Sequence, residues 1–319
     1  MKTERILIIG AGGQLGSELT EHLASKFGVD NVIPTDIKEP VSHQYSNFES
    51  LDVLNQSALN SFIKKNAFTQ IYHLAAVLSA TGEKNPAFAW RLNMDGLFHV
   101  LEAAVNFRIG KVYWPSSIAV FGPGTPKRNT PQDTVMDPTT VYGISKLAGE
   151  RWCAWYHSKF GLDVRSLRYP GLIGYKSHPG GGTTDYAVDI FFKALSDKKY
   201  ECFLKEDTAL PMMYMDDAIK ATIDLMEAPV ESIKIRSSYN IASMSFTPKE
   251  IAEEIRQLLP EFSITYRPDF RQGIAESWPA SIDDSRARQD WGWNPKFDLK
   301  AMTREILAKL PEYHFQTTR

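Results

Sequence analysis

Cysteine is nearly absent from this chain, with only Cys153 and Cys202 among 319 residues. Two cysteines cannot build a disulfide framework, and no cluster of Cys or His stands at zinc-ligand spacing, so neither a structural nor a catalytic metal is expected. Basic excess is missing as well. Lys and Arg number 36 against 38 Asp and Glu, a formal net charge of -2, which argues against nucleic acid and against an anionic membrane surface as partners. No apolar run reaches the roughly 18 residues that cross a bilayer. The amino-terminal residues Met1-Lys-Thr-Glu-Arg-Ile6 run straight into a strand pattern without the features of a signal peptide, and the expected location is the cytoplasm. Repeats and low-complexity stretches are also lacking. The Pro- and Gly-rich segments Gly122 to Pro138 and His178 to Thr184 read as loops inside a folded unit rather than as linkers. What is present is a 43% hydrophobic chain, long enough to bury one large core or a nucleotide domain with a smaller cap.

Apolar runs and helical periodicity alternate through the first half. Arg5-Ile-Leu-Ile-Ile9 is a short strand ending at Gly10, and Leu15 to Phe27 has helical spacing. Asn31 to Asp36, Gln70 to Ala76, Lys111 to Ser117 and Asp163 to Tyr169 read as further strands, with a helix from about Thr139 to Phe160. This alternation predicts an α/β fold, a Rossmann-type doubly wound parallel sheet with a smaller C-terminal substrate-binding cap. The expected division is residues 1–170 for the cofactor and 171–319 for the substrate. The two are interleaved, because a late strand near 238–242 returns to the first sheet.

The turn after the first strand, Gly10-Ala-Gly-Gly-Gln-Leu-Gly16, carries glycines in a GxxGxxG order. Glycine permits a sharp turn and close approach to a pyrophosphate, and the following helix start offers N–H groups and a positive dipole end. Gly10, Gly12, Gly13, Gln14, Leu15 and Gly16 are the candidate phosphate cradle. Asp36, with Ile37 beside it, ends the second strand at the distance where a carboxylate accepts from adenosine ribose hydroxyls. A carboxylate there repels a 2′-phosphate, so the expected cofactor is NAD.

Tyr142-Gly-Ile-Ser-Lys146 puts a phenol and an ammonium one helical turn apart. A phenol titrates near 10, so the spacing predicts that Lys146 lowers the Tyr142 pKa and makes it a usable base. Ser116 and Ser117 end a strand at the edge where ligands bind such sheets, and either hydroxyl is a candidate to hold the reacting oxygen.

Gly10, Gly13 and Gly16, Leu74-Ala75-Ala76, Asn93, Ser116-Ser117 and Tyr142 with Lys146 together resemble the extended short-chain dehydrogenase/reductase family, over nearly the whole chain. The resemblance implies that Ser117, Tyr142 and Lys146 form the catalytic group, with Ser116 as neighbour and Asn93 as a supporting amide behind the lysine. It also implies that Asp52 and Val53 receive the adenine, and that Leu74, Ala75, Ala76, Tyr169, Pro170, Gly171 and Ile173 flank the cofactor.

Within the family the plan is shared with UDP-galactose epimerases and sugar-nucleotide dehydratases. Here, however, Pro170-Gly171 stands where those enzymes carry an asparagine, and Leu210 where they carry a diphosphate-binding arginine. Arg286 and Arg288 are possible substitutes. These departures, with Trp114-Pro-Ser-Ser, Gly180-Gly-Gly-Thr-Thr-Asp-Tyr186 and Pro211-Met-Met-Tyr-Met-Asp-Asp217, are instead similar to the short-chain group of L-threonine 3-dehydrogenases. That similarity implies oxidation of the threonine 3-hydroxyl to 2-amino-3-oxobutanoate in threonine degradation. Tyr142 as phenolate takes the proton, and hydride passes from C3 to NAD. Leu78, Ser79, Thr81, Gly82, Thr183 and Thr184 are candidates to hold the substrate beside Ser117 and Tyr142, and Trp278 is placed to close the pocket. The His178 to Thr184 loop reads equally as a lid. Two alternatives stand beside this reading: a sugar-nucleotide epimerase or dehydratase using the same residues, and a non-catalytic NAD sensor that keeps only the glycine turn.

The resemblance further implies a homodimer formed through the helix after Asn93 and the helix of Tyr142. Leu97, Val100, Leu101, Trp152 and Trp155 are candidates for that interface or for the chain's own core.

Overall fold

The first strand, β1 (Ile6–Ile9), is apolar at every position because both of its faces are covered. The computed structural model describes residues 4–38, 45–178 and 180–317. Strand geometry sends alternate side chains to opposite faces. Ile6 and Ile8 therefore pack with Leu19 and Leu23 of α1 (Gln14–Phe27), while Leu7 and Ile9 pack with the other face.

The chain continues through β2 (Val32–Asp36), β3 (Glu49–Ser50), α2 (Gln56–Asn66), β4 (Gln70–His73), the short α3 (Ser79–Gly82) and α4 (Pro86–Asn106). Next come β5 (Lys111–Tyr113), β6 (Ser116–Ser117), α5 (Val141–Phe160), β7 (Asp163–Arg165), β8 (Leu167–Tyr169) and β9 (Gly171–Ile173). A six-stranded parallel sheet in the order β3-β2-β1-β4-β5-β7 results, the Rossmann-type arrangement expected from the alternating pattern.

Two of the expected strands are broken. Lys111 to Ser117 is interrupted at Trp114-Pro115, where proline has no N–H to give to a ladder, and Asp163 to Tyr169 is interrupted at Ser166. Beyond each break the second half leaves the main sheet. β6 pairs with β8, and β8 with β12 (Tyr239–Asn240), so the late strand joins a separate three-stranded sheet, in the order β12-β8-β6, rather than the six-stranded one it was expected to return to. The second half of the chain adds α6 (Tyr186–Ser196), β10 (Lys199–Cys202), β11 (Leu210–Tyr214) and α7 (Met215–Glu227) before β12. After it come β13 (Met244–Phe246), α8 (Pro248–Leu258), β14 (Ser263–Tyr266), α9 (Phe270–Ser277), α10 (Ser285–Trp291) and α11 (Leu299–Thr317). β11 lies between β9 and β13 in a small sheet, and α6, α8 and α11 close an apolar core over it.

The interface candidates divide. Leu97, Val100 and Leu101 are fully buried in the chain's own core under the sheet, because they lie on the face of α4 turned inward, whereas Trp152 and Trp155 on α5 are exposed. Among the described residues, no helix is long and apolar enough to cross a membrane.

Candidate active site

A cleft of about 250 Å³ lies at the carboxyl ends of β1, β4 and β6, between the parallel sheet and the segments that follow β8. Its first wall is the glycine turn. Gly10 sits at φ +91°, and a Cβ there would stand 2.6 Å from the Ala75 nitrogen; at Gly16 a Cβ would stand 2.2 Å from the Gly10 oxygen. These two glycines let the turn fold against the sheet. Gly13, the N-cap of α1, provides no side-chain cap, so the N–H groups of Gln14, Leu15 and Gly16 are left at the cleft wall for a ligand to satisfy. Asp36 ends β2, and its carboxylate accepts from the N–H groups of Gly12 at 3.0 Å and Ile37 at 2.7 Å. An uncapped helix end with glycine clearance, beside a fixed carboxylate, fits an adenine dinucleotide that lacks a 2′-phosphate.

The second wall is chemical. Thr140 caps α5 by accepting from Gly143 N–H, which starts the helix so that Tyr142 and Lys146 both face the cleft. Burial pushes the Tyr142 phenol up to about 12, and a hydrogen bond with the Ser117 hydroxyl opposes that rise. Lys146 donates to the Pro115 carbonyl at 2.6 Å and lies 4.4 Å from the centre of the Trp114 ring and 5.5 Å from that of Tyr142. Burial brings the lysine down to about 7, against Cys153 and Glu150, which raise it. The expectation that Lys146 lowers the phenol pKa therefore fails in this state: desolvation takes part of its charge at neutral pH, and Ser117 is the group that favours the phenolate.

Ser116 and Asn93 do other work than the sequence implied. The Ser116 hydroxyl is committed to Glu150 at 2.6 Å, so it is not free to hold a substrate oxygen. Asn93 is buried and bonds the N–H of Val77, the carbonyl of Val77 and the Ser145 hydroxyl; it braces the residue next to Lys146 rather than Lys146 itself.

At the substrate end, Leu78, Ser79, Thr183, Thr184 and Trp278 line the cleft, and the Ser79 and Thr183 hydroxyls stand 3.3 Å apart. Thr81 and Gly82 do not: they lie in α3, with the Thr81 hydroxyl turned to Gly181. Pro179 of the expected lid lies outside the described residues. On the cofactor side Leu74, Ala76, Tyr169, Pro170 and Gly171 line the cleft, and Ala75 stands against Gly10. Ile173 is not brought there, because it is fully buried among the core residues of the small sheet. Asp52 instead accepts from Leu54 N–H in a local turn, and Val53 packs under Gly96 while its carbonyl bonds His99. Arg286 and Arg288 pair with Asp290 and Asp284 away from the cleft. Sequence reasoning missed Pro115, Ile118, Gly182 and Asp185 as lining residues, while Leu172, within the Tyr169 to Ile173 stretch expected beside the nicotinamide, does line the cleft. Asp185 had a local signal, an acidic residue immediately before a helical apolar pattern. Its carboxylate accepts from Gly181 and Gly182 N–H, and burial raises its pKa.

A family model described as the NAD dependent epimerase/dehydratase family matches residues 6–242. The chain belongs to that family. Its cofactor is NAD, and the family is the extended short-chain dehydrogenase/reductase group that the motifs resemble. A curated relative, an uncharacterized epimerase/dehydratase of Staphylococcus haemolyticus, is 48% identical over 97% of this chain and 98% of its own length. Among solved structures, the holo form of a GalE-like L-threonine dehydrogenase from Cupriavidus necator superposes with TM-score 0.94 at 57% identity, covering 96% of this chain and 99% of that one. A monomeric L-threonine 3-dehydrogenase from a metagenome database, in apo form, gives TM-score 0.94 at 48% identity, covering 96% and 99%. Family and neighbours agree on an NAD-dependent oxidoreductase.

Proposed function

We infer that this member of the family is an L-threonine 3-dehydrogenase, oxidising L-threonine to L-2-amino-3-oxobutanoate. The observation that carries the reading is the charge of the cleft lining: hydroxyls from Ser79, Thr183 and Thr184, one carboxylate from Asp185 and, among the described residues, no cation other than Lys146, which is already held by a carbonyl. A zwitterionic amino acid fits such a lining, with its ammonium against Asp185 and its carboxylate on the hydroxyls. A diphosphate does not, because two buried negative charges would lack partners. Gly171 supports the same conclusion. A Cβ there would stand 2.3 Å from the Met212 sulfur and 2.8 Å from Thr184, so no asparagine fits at that position, and Leu210 is wholly buried.

In this reading the glycine turn and the α1 N-terminus hold the pyrophosphate of NAD, and Asp36 holds its ribose. Bound NAD supplies the hydride acceptor and a positive ring that favours a nearby phenolate. Tyr142 removes the proton from the threonine 3-hydroxyl, Ser117 donates to and orients the same oxygen, and Lys146 supports Tyr142 when charged. Residues 1–170 then serve mainly the cofactor and 171–319 mainly the substrate, in a protein of the cytoplasm that acts in threonine degradation.

Purified protein is mixed with NAD and, separately, L-threonine, D-threonine, L-serine, 3-hydroxybutyrate and UDP-sugars, and NADH absorbance is followed. NADH formed with L-threonine and little with the others is the expected result. Silence with threonine, together with chromatographic conversion of a UDP-sugar, would transfer the protein to the epimerase branch.

A further inference from the structure

Three consecutive residues, Pro115 and the two of β6, face three residues spaced four apart on α5. Ser117 lines the cleft with Tyr142, its hydroxyl oxygen accepting from Ala119 N–H at 3.2 Å; Pro115 accepts from Lys146 at 2.6 Å, and Ser116 donates to Glu150 at 2.6 Å. A spacing of four keeps Tyr142, Lys146 and Glu150 on one helical face. The third grip has no role in the reaction above, yet it is the most elaborately built. Glu150 is wholly buried and meets Arg168, 2% exposed, through two bonds of 2.8 Å, Nε to Oε1 and NH2 to Oε2. Arg168 NH1 donates to the Gln132 carbonyl at 2.9 Å and to Asn240 Oδ1 at 3.0 Å. Ser116 is also the backbone partner of Arg168 in the parallel register of β6 and β8. Strand and carboxylate thus close a ring.

A buried ion pair is a weak source of net stability, because desolvation offsets much of the attraction. What this one fixes is direction. β6 is two residues long and follows a proline, so its ladder alone is a poor guide to side-chain orientation. Successive strand residues point to opposite faces. Pinning Ser116 toward Glu150 therefore turns its neighbour Ser117 toward the cleft.

We propose that Ser116 and Glu150, clamped by Arg168, are positioning residues that hold the Ser117 hydroxyl against Tyr142. The inference rests on Tyr142 being the base. The groups facing that site are Ser117 from β6 and Lys146 from α5. Lys146 is in turn faced by Glu150 and Cys153 from α5 and by His73 from β4, a histidine kept neutral by burial, while Arg168 from β8 faces Glu150.

Ser116→Ala in the full chain removes the pin and leaves the Glu150–Arg168 pair intact. Expected are an unchanged affinity for NAD, a thermal midpoint close to wild type, and a kcat on L-threonine reduced roughly tenfold at unchanged KM. The rise of kcat with pH should move upward by roughly half a unit or more, since the phenol loses a bond that favours its ionised form. A second readout does not need threonine: tyrosinate difference absorbance of the NAD complex, with and without Tyr142→Phe, isolates the Tyr142 titration, which should move upward in Ser116→Ala. If that titration and the kcat profile both stay where they are in wild type, the positioning role is overturned. If wild type fails to oxidise threonine, the substrate reading falls, while the Tyr142 titration still decides this one.

Discussion

Gly13 and Gly16 stand three residues apart in the same turn and are glycines for different reasons. At Gly16 a Cβ would meet the Gly10 oxygen at 2.2 Å, so a side chain there drives the helix off the turn. At Gly13 the nearest atom is 3.4 Å away and the backbone, at φ -77° and ψ 168°, is one any residue adopts. Gly13→Ala is therefore expected to keep the thermal midpoint of the free protein. It should still weaken NAD binding by roughly tenfold or more, or about 1.4 kcal/mol, because its methyl occupies the space a pyrophosphate must approach. Gly16→Ala is expected to lower the midpoint itself. Thermal unfolding and a fluorescence titration with NAD separate the two, and an unchanged NAD affinity in Gly13→Ala would remove Gly13 from the cradle. The glycine turn was legible in the sequence because its constraint is local. Ser116 was misread because its partner, Glu150, lies 34 residues away, and a serine at a strand end says nothing about which side its hydroxyl faces.

Helix α1 shows the same limit for a whole element. Its apolar stripe from Leu15 to Phe27 could be read from spacing, but Glu18 reads there as one more polar helix residue. In the fold it is 3% exposed, with its carboxylate beside Gly174, no partner for Oε1 and Lys176 at 3.9 Å from Oε2. Burial raises its pKa from 4.5 to about 7, with Lys176 opposing and Asp216 and Glu21 adding to the rise. The sign follows from proton counting. Between those two values the unfolded chain has released this proton and the folded chain still holds it, so stability falls as pH climbs through the interval and the full cost applies above about 7. That cost is on the order of 3 kcal/mol. Glu18→Gln, which removes the ionisation, is expected to raise the melting temperature by several degrees at pH 8 and to leave it nearly unchanged at pH 4. Calorimetry at the two pH values checks it, and an equal shift at both would mean that ionisation of Glu18 is not what the substitution relieves. The broken strands at Pro115 and Ser166 teach the same lesson: the apolar runs mark where a strand lies, while the partner that captures each half is set by distant chain.

At the scale of the molecule, the parallel sheet was legible because strand and helix periods alternate over the first half. The second half was less so, since its short strands β10 to β14 take partners far apart in sequence. The face of α5 that turns away from the sheet raises the remaining question. Phe98, Trp152, Trp155, Tyr156 and Phe160 form a continuous aromatic strip, with edge-to-face contacts of 4.8 Å between Phe98 and Trp152 and 5.4 Å between Trp152 and Trp155. Trp152, Trp155 and Phe160 are 38%, 45% and 50% exposed, which is a heavy apolar load to leave in water. A second copy of the chain, packing its own α4 and α5 against this strip, would bury it. The active site does not touch the strip: the α5 residues that line the cleft, Tyr142 and Lys146, lie in the first two turns of the helix, whereas Trp152 to Phe160 lie in its last turns. Trp155→Glu is therefore expected to give a monomer by light scattering while retaining NAD binding and turnover. A wild-type protein that stays monomeric at high concentration, like the monomeric threonine dehydrogenase it resembles, would show that the strip is tolerated in water. Loss of turnover on monomerisation would show instead that the partner's helices steady the segment carrying Tyr142 and Lys146.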